Sequence, residues 1–559
     1  MTHRRLLVAY VLLNSVLYSV LLPLWEGFDE PFHFGYVQQI ANGGGFPDPR
    51  TARLSGEVAA SLLLAPASDA VKRNLPQVTS YEEYFSCQAS KRTEARRKLY
   101  GIPTAERWRQ SQFLNYEAHQ APLAHLLLAP FERLLAREPM PSRVAILRFA
   151  AAASAGILLL WGADRLFSQL RIPEVFRAAA LFCVFSSQMT WATLAHIGND
   201  WLAVPLAVWV LHALIRYRNS PSLRSAALAA ALLSAGLLTK AYFLALLPLP
   251  VVLCVRHKRW RELAIATAEL CVLAGPWYLR NWLRYGVLTA TQESRAGVGV
   301  RAVLSAAATL RWPVVLRSSV HSALWTGNNT FAAFSASTEN LLLGVGLVAL
   351  LAWAATRHRS AEWITLSYCG CFAIALGYAA AASSVYSHGL STTPSPWYAQ
   401  VLAAPVLGLA FLGASRLGGF GRLVGACMAA LFGYVLSATY AAKLIPLYSG
   451  FRGRASLLAV ARLYAHGFSG LAGNLDSVTL APACIVFALA VVTIGLAVSQ
   501  VVLLVGLLAG GYRRRAVPGR PADPLHYRRG WADSWRGLSS RLSSLLSRES
   551  ELLMSWNSG

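Results

Sequence analysis

The eight cysteines of this chain make no disulfide framework. Seven lie in or near apolar runs (Cys183, Cys254, Cys271, Cys369, Cys371, Cys427, Cys484), and Cys87 stands alone in a polar segment, with no partner for an internal bridge. Charge is also sparse: Asp, Glu, Lys and Arg make up 14% of 559 residues against 55% hydrophobic residues, which excludes a soluble globular domain. Acids are the scarcer sign, 26 Asp and Glu against 51 Lys and Arg, for a net charge of +25. In a soluble protein that surplus would point to nucleic acid. Here it falls in short loops between apolar runs and in the tail, where the positive-inside rule expects it, so no nucleic-acid partner is expected. No small-residue cleavage site follows the first apolar run, which reads as a retained first helix. No internal repeat is evident.

What is abundant is apolar sequence in runs near the ~20 residues that cross about 30 Å of hydrocarbon. With Arg and Lys marking the inner side, these runs predict an all-α polytopic membrane protein with about twelve transmembrane helices and both termini cytoplasmic. Spans are expected near 6–24, 144–163, 178–195, 201–215, 225–239, 241–255, 262–279, 341–356, 361–383, 398–414, 423–445 and 481–510. A large first extracytoplasmic loop, 25–143, has balanced charge and short amphipathic runs, and is expected to hold interfacial helices. The apolar stretch 122–135 carries Glu132 and Arg133 and is expected along the membrane surface. A second outer segment covers 281–340. The remainder comprises 446–510, an outer loop with the last span, and 511–559, a basic cytoplasmic tail. There Trp531, Trp535, Leu538, Leu542, Leu545, Leu546, Leu552 and Leu553 recur at helical spacing, as in an amphipathic surface helix.

The densest chemistry follows the first span: Trp25-Glu26-Gly27-Phe28-Asp29-Glu30-Pro31-Phe32-His33-Phe34-Gly35. Carboxylates are costly in lipid, so a cluster of three acids and a histidine at the end of a span points to a task at the interface. Other suspicious groups fall on the same predicted side: Tyr116-Glu117-Ala118-His119-Gln120, His196-Ile197-Gly198-Asn199-Asp200, Thr239-Lys240 and Arg280-Asn281-Trp282-Leu283-Arg284. His321 and the run Trp325-Thr326-Gly327-Asn328-Asn329 lie in the second outer segment. One reaction uses these parts. Moving a sugar from a lipid phosphate to a hydroxyl needs a carboxylate to take the hydroxyl proton and cations to stabilise charge growing on the leaving phosphate. Asp29 suits the first task. Lys240, Arg280 and Arg284 suit the second, Arg through its bidentate fork and Lys as a point charge.

The run Phe28-Asp29-Glu30-Pro31-Phe32-His33-Phe34-Gly35 resembles the acidic first-loop motif of GT-C glycosyltransferases, close to the form found in protein O-mannosyltransferases. His119-Gln120-Ala121-Pro122-Leu123 is similar to the family's Pro-Pro-Leu surface helix, and Arg148-Phe149 to the Arg-Leu that opens its second span. Leu238-Thr239-Lys240 and Pro276-Trp277-Tyr278-Leu279-Arg280-Asn281 resemble landmarks of bacterial polyprenyl-phosphate-sugar transferases. The resemblance covers residues 1–445 and implies a GT-C-like transmembrane catalytic module in a bacterial inner membrane. It implies an inverting hexosyl or pentosyl transfer on the extracytoplasmic face, from a polyprenyl-phosphate sugar to a glycan, lipid or protein acceptor. Asp29 would be the base, and Glu30 would structure the site or help hold a metal. Asp200 would be a second-loop acid; Lys240 and Arg280 would bind the donor phosphate. A divalent cation (Mg or Mn), if used, would fall to Asp29, Glu30 and Asp200. Two departures stand out: Pro396-Trp397-Tyr398 replaces an Arg-Tyr, and Ala121 replaces the first proline of Pro-Pro-Leu.

Plainer roles compete. Asp29-Glu30 and Asp200 suit helix N-termini, Lys240 could snorkel, and His33 could be an interfacial hydrogen-bonding group. The alternative function is a transporter or flippase of a lipid-linked glycan, for which Glu269, the acid deepest in a predicted span, would matter more than Asp29. A non-catalytic scaffold whose outer loop binds glycan would tolerate loss of Asp29.

Overall fold

The computed structural model describes residues 2–325, 334–451 and 457–515. The run Thr326–Asn329 and the predicted tail helix lie outside them. The chain falls into two units, Met1–Ala509, which holds the residues of the site, and Gly510–Gly559.

The protein is helical almost throughout. Helix α1 (Thr2–Leu21) leads to α2 (Glu30–Ala41), strand β1 (Arg53–Ser55), α3 (Gly56–Leu64) and strand β2 (Gln110–Leu114). Strands β1 and β2 pair antiparallel, a small sheet that the all-α expectation for the loop did not include. Three short helices, Asp69–Asn74, Tyr81–Ser86 and Ala89–Tyr100, lie between α3 and β2. The bundle continues with α4 (Leu123–Leu134), α5 (Met140–Gln169), α6 (Glu174–Phe185), α7 (Gln188–Leu194) and α8 (Asp200–Asn219). Then come α9 (Leu223–Leu237), α10 (Ala241–Arg256), α11 (Trp260–Leu273), α12 (Gly275–Tyr285) and the single turn α13 (Gln292–Arg295). The last elements used here are α14 (Ala336–Ala354), α15 (Ser360–Tyr386), α16 (Pro396–Arg416), α17 (Gly418–Tyr448) and α18 (Ala483–Arg515).

Helix occupies each of the twelve predicted span positions, but not every one at full length. Among the described residues eight helices are long and apolar enough to cross a membrane, or nine if α11 and α12, bent by 52°, count as one. The shortfall comes from breaks. Ser186 and Ser187 separate α6 from α7, and Leu238–Lys240 separate α9 from α10. Close crossings hold the bundle together as small residues do in membranes. A Cβ at Gly413 of α16 would lie 2.0 Å from the Ala349 carbonyl oxygen of α14, so only glycine permits that approach.

Buried charge organises the segment between α1 and α5. Glu132 of α4 is fully buried and pairs with Arg143 of α5 and with Arg107, the latter at 3.4 Å. Arg143 also grips Glu57 of α3, which accepts from Gln38 of α2 at 2.8 Å. Five residues further along α5, Arg148 pairs with Glu30, both fully buried. Its remaining N–H groups donate to the carbonyls of Leu22 (2.7 Å) and Pro23 (2.9 Å) just past the end of α1. Arg148 therefore sits within α5 as a clamp, rather than at a span's opening.

Removing one partner of a buried pair strands the other charge. Arg148→Met is expected to destabilise the protein by about 3–5 kcal/mol. The double variant Glu30→Gln/Arg148→Met should recover part of that loss. Thermal unfolding in detergent checks both, and a double variant as unstable as the single would count against stranded charge as the cause.

Candidate functional site

Between α1 and α2 the chain turns through Trp25 and Asp29, both with left-handed backbones (φ 67° and 54°). A non-glycine residue held there stores strain that the surroundings must enforce. Glu30 enforces it: beyond its Arg148 pair, it accepts from the backbone N–H of Ile197 at 3.1 Å. That bond brings the 195–199 turn against the Asp29 loop, where a Cβ on Gly27 would lie 2.5 Å from that of His196.

Asp29 occupies the N-cap position of α2, but its side chain caps nothing. It accepts a short hydrogen bond from the Tyr116 hydroxyl, so the plain capping role does not hold. Tyr116 sits in the 3-10 turn Tyr116–His119, which docks on α2: Asn115 donates to the Phe32 carbonyl (2.9 Å) and Tyr36 to the Gln120 carbonyl (3.2 Å). Gln120 accepts from Asn199 (2.8 Å), which also donates to the Thr239 carbonyl (3.3 Å). The Leu123 N–H donates to the Leu238 carbonyl (2.9 Å). Four separated motifs are thus stitched into one site.

Lys240, at the α9–α10 break, places Nζ 2.6 Å from both carboxylate oxygens of Asp200 at the start of α8. Both side chains are buried, so Lys240 does not snorkel and Asp200 is not merely a cap. The ammonium also faces the Tyr398 ring at 4.3 Å and the Tyr242 ring at 5.4 Å. Next to Tyr398, Trp397 stacks on Phe28 at 4.0 Å.

Burial sets the ionisation. Desolvation, reinforced by the like charge of Glu117, pushes the Asp29 carboxyl up to about 6, with His196 and Lys240 opposing. Burial takes Glu117 to about 7. The histidines move the other way for the same reason: His119 falls to about 4, His125 to about 3, His33 well below its usual value, and His196 downward. At neutral pH the imidazoles here are neutral, and Asp29 titrates close to physiological pH, as suits a general base.

The other expected residues are engaged elsewhere. Glu30 is a structural partner of Arg148, in keeping with the expectation that it structures the site. Glu26 accepts from the Ser68 N–H (3.0 Å) and the Tyr448 hydroxyl (3.5 Å). His33 meets His125 and Glu117. Arg284 is half-exposed and pairs with Asp48 at 3.5 Å. Arg280 lies over Trp277 (4.9 Å), without a carboxylate partner among the described residues. His321 pairs with Glu339 of α14, apart from the Asp29 contacts. The acids named for a divalent cation do not fit one: Glu30 and Asp200 are neutralised by Arg148 and Lys240, and Asp29 is bonded to a phenol. Among the described residues no three His, Cys, Asp or Glu side chains gather as a metal site.

Sequence reasoning noted Tyr116 only within its run and gave it no role, and it missed His125, Trp397 and Tyr398 as site groups. Tyr116 adjoined a noted acid, and Trp397-Tyr398 was noted only as a departure. Glu293 and Arg295 of α13 act electrostatically on His119, and no motif marked them.

No protein-family model and no curated protein matches the sequence. Among solved structures, the chain is similar to the oligosaccharyltransferase of Archaeoglobus fulgidus, solved tethered by a disulfide to an acceptor peptide containing the NVT sequon. The identity is 13% over 89% of this chain, with a TM-score of 0.34. This chain spans 55% of that protein's length.

A buried acid with a raised pKa weakens the fold once solvent would ionise it. With a folded value of about 6 against 3.8 for the free side chain, the protonated Asp29 is neutral with respect to stability below pH ~4. Stability is lost as pH rises from there through about 6. Asp29→Asn should therefore match wild type near pH 4 and exceed it by about 3 kcal/mol at neutral pH. Unfolding midpoints across that range check the crossover, and a variant less stable than wild type at pH 7 would contradict it.

Proposed function

We propose that this protein is a GT-C-type glycosyltransferase that moves a sugar from a polyprenyl-phosphate donor to an acceptor hydroxyl. The observation that carries the reading is Asp29: a half-buried carboxylate in a left-handed backbone, unused as a cap, pushed up to about 6, in the field of the buried Lys240. In the proposed step the acceptor hydroxyl gives its proton to Asp29 while its oxygen attacks the anomeric carbon. The bond from that carbon to the phosphate oxygen breaks, and the polyprenyl phosphate leaves with the electron pair. One displacement with one base gives inversion. Lys240, steadied by Asp200, and Arg280 are the cations assigned to the departing phosphate, a preorganised charge that strengthens in a dry site. The basic loops at the opposite ends of the helices support an extracytoplasmic site in a bacterial inner membrane.

A transporter would carry its acids midway along spans. Glu269 of α11 has no ion pair among the described residues, whereas the paired and hydrogen-bonded polar groups gather where α1, α7 and α9 end. The transferase reading accounts for that gathering.

The test is incorporation of label from a panel of radiolabelled polyprenyl-phosphate sugars into cell-envelope acceptors. Wild type is expected to transfer one of them, and Asp29→Asn to lose about 10²–10⁴-fold, the usual worth of a general base. The acid limb of kcat/KM should sit near pH 6. Equal transfer by wild type and the folded variant would remove Asp29 from the mechanism.

A further inference from the structure

The two carboxylate oxygens of Asp29 are unequally placed. Oδ1 accepts from the Tyr116 hydroxyl, whereas Oδ2 accepts no hydrogen bond among the described residues. An aspartate at the head of a helix ordinarily spends its side chain on the first free N–H groups. Here the N–H groups of Phe32 and His33 bond the Asp29 carbonyl instead, each at 3.1 Å, and the carboxylate is left over. Its phenol partner is delivered by neighbours. Asn115, fully buried, donates its side-chain amide to the Phe32 carbonyl (2.9 Å) and its backbone N–H to the Ala52 carbonyl (2.8 Å). That approach uses Gly35, where a Cβ would lie 3.3 Å from Asn115 Nδ2 and 2.8 Å from the Leu54 side chain. The Tyr116 ring rests against Phe32 at 4.1 Å, and His119 closes the turn on the Tyr116 carbonyl at 2.7 Å. With the turn docked by these contacts, the phenol–carboxylate bond is not needed to hold it there.

An ionised carboxylate accepts at both oxygens, but a protonated one carries its hydrogen on one and accepts best at the other. Desolvation and the charge of Asp29 hold the Tyr116 phenol well above its usual value, so it remains a donor. A donor fixed on Oδ1 serves Asp29 well in both states only if the proton sits on Oδ2. We propose that Tyr116 is a positioning residue that assigns the two oxygens: it keeps Oδ1 as an acceptor and leaves Oδ2 to take the proton of the attacking hydroxyl. The inference rests on the reading of Asp29 as the base. In that step the O–H bond of the acceptor breaks, a new O–H bond forms at Oδ2, and the phenol keeps its own hydrogen. Tyr116 touches Asp29 and acts by fixing the rotation of its carboxyl group.

Which oxygen is protonated can be read without substrate, from the carboxylic-acid band in infrared difference spectra of the full-length protein, assigned by its absence in Asp29→Asn. A carbonyl that accepts a hydrogen bond absorbs at lower frequency. With the proton on Oδ2 the carbonyl is Oδ1, so Tyr116→Phe, which keeps the ring on Phe32, should move the band to higher frequency. The pH at which the band disappears, about 6 in wild type, should rise by about one unit, because the lost bond favoured the charged form. Glu117, His196 and Lys240, the other groups acting on Asp29, stay in place in this variant. Above that pH, Tyr116→Phe should lose about tenfold in kcat with KM little changed, the mark of a misplaced base. On the Asp29→Asn background it should cost nothing further. Wild type grown on 3-fluorotyrosine, a stronger donor, should move the band the opposite way, and tests the same bond should Tyr116→Phe fail to fold. A band of unmoved frequency, an unchanged kcat, or a loss that persists in full without Asp29 would overturn the inference. Wild type that transfers from no donor would sink the transferase reading instead, since the band still reports the oxygens.

Discussion

The arrangement depends on one guanidinium. Arg148 lies at no detectable exposure within α5 and spends its N–H groups on three things at once. It neutralises Glu30 through a forked pair and accepts the role of cap for α1 by bonding the carbonyls of Leu22 and Pro23. A helix end leaves carbonyls without partners and carries a partial negative charge, so a cation there satisfies both needs. Through Glu30 the same side chain reaches the Ile197 N–H. The end of α1, the start of α2 and the turn before α8 are thereby fixed relative to α5, and Asp29 stands at the junction. Its left-handed backbone follows from being tied on one side to a capped helix end and on the other to a clamped glutamate.

This clamp also explains why charge can be buried here without collapse of the fold. Taking an ion out of water costs several kcal/mol unless a partner and further hydrogen bonds compensate it. Glu30 has Arg148, Asp200 has Lys240, and Glu57 and Glu132 share Arg143. Asp29 differs. It has a phenol and no bound cation, and it lies near a second acid. Of the carboxylates around this loop, Glu26, Asp29 and Glu117 have no Lys or Arg partner among the described residues, and burial holds all three above the usual carboxylate range.

The sequence made the parts legible but not their pairing. The acidic run after α1, the lysine after Leu238-Thr239 and the acid after Asn199 could be found because polar residues at the ends of apolar runs are conspicuous. The alternation of Arg and Lys between the runs predicted a common side for them, and the structure brings them together. Which partner each acid takes could not be read from adjacency: Asp29 and Glu30 are neighbours, yet Glu30's partner is 118 residues away. The same limit applies to Arg284 and His321, which looked free in sequence and are held by Asp48 and Glu339. The run Pro396-Trp397-Tyr398 was noted only for lacking the arginine of an Arg-Tyr. Only the crossing of α9, α8 and α16 reveals an aromatic ring covering the Lys240 ammonium.

The helix count belongs to the same argument. Twelve runs were apolar enough to read as spans, yet α7 and α9 stop short, and α11 bends into α12. Irregular backbone inside a membrane bundle is tolerated where it is buried in protein or lines a cavity. The break after α9 lets Lys240 turn inward while its N–H still bonds the Gly236 carbonyl at 2.8 Å, so the helix ends without an orphaned donor. The turn after α7 presents Ile197 to Glu30 and Asn199 to Gln120 in the same way. A full-length helix at either place would carry those groups past the loop that holds Asp29. The shortened helices are therefore a requirement of the site: an all-helical chain can bring backbone donors and a lysine to a buried carboxylate only by ending helices beside it.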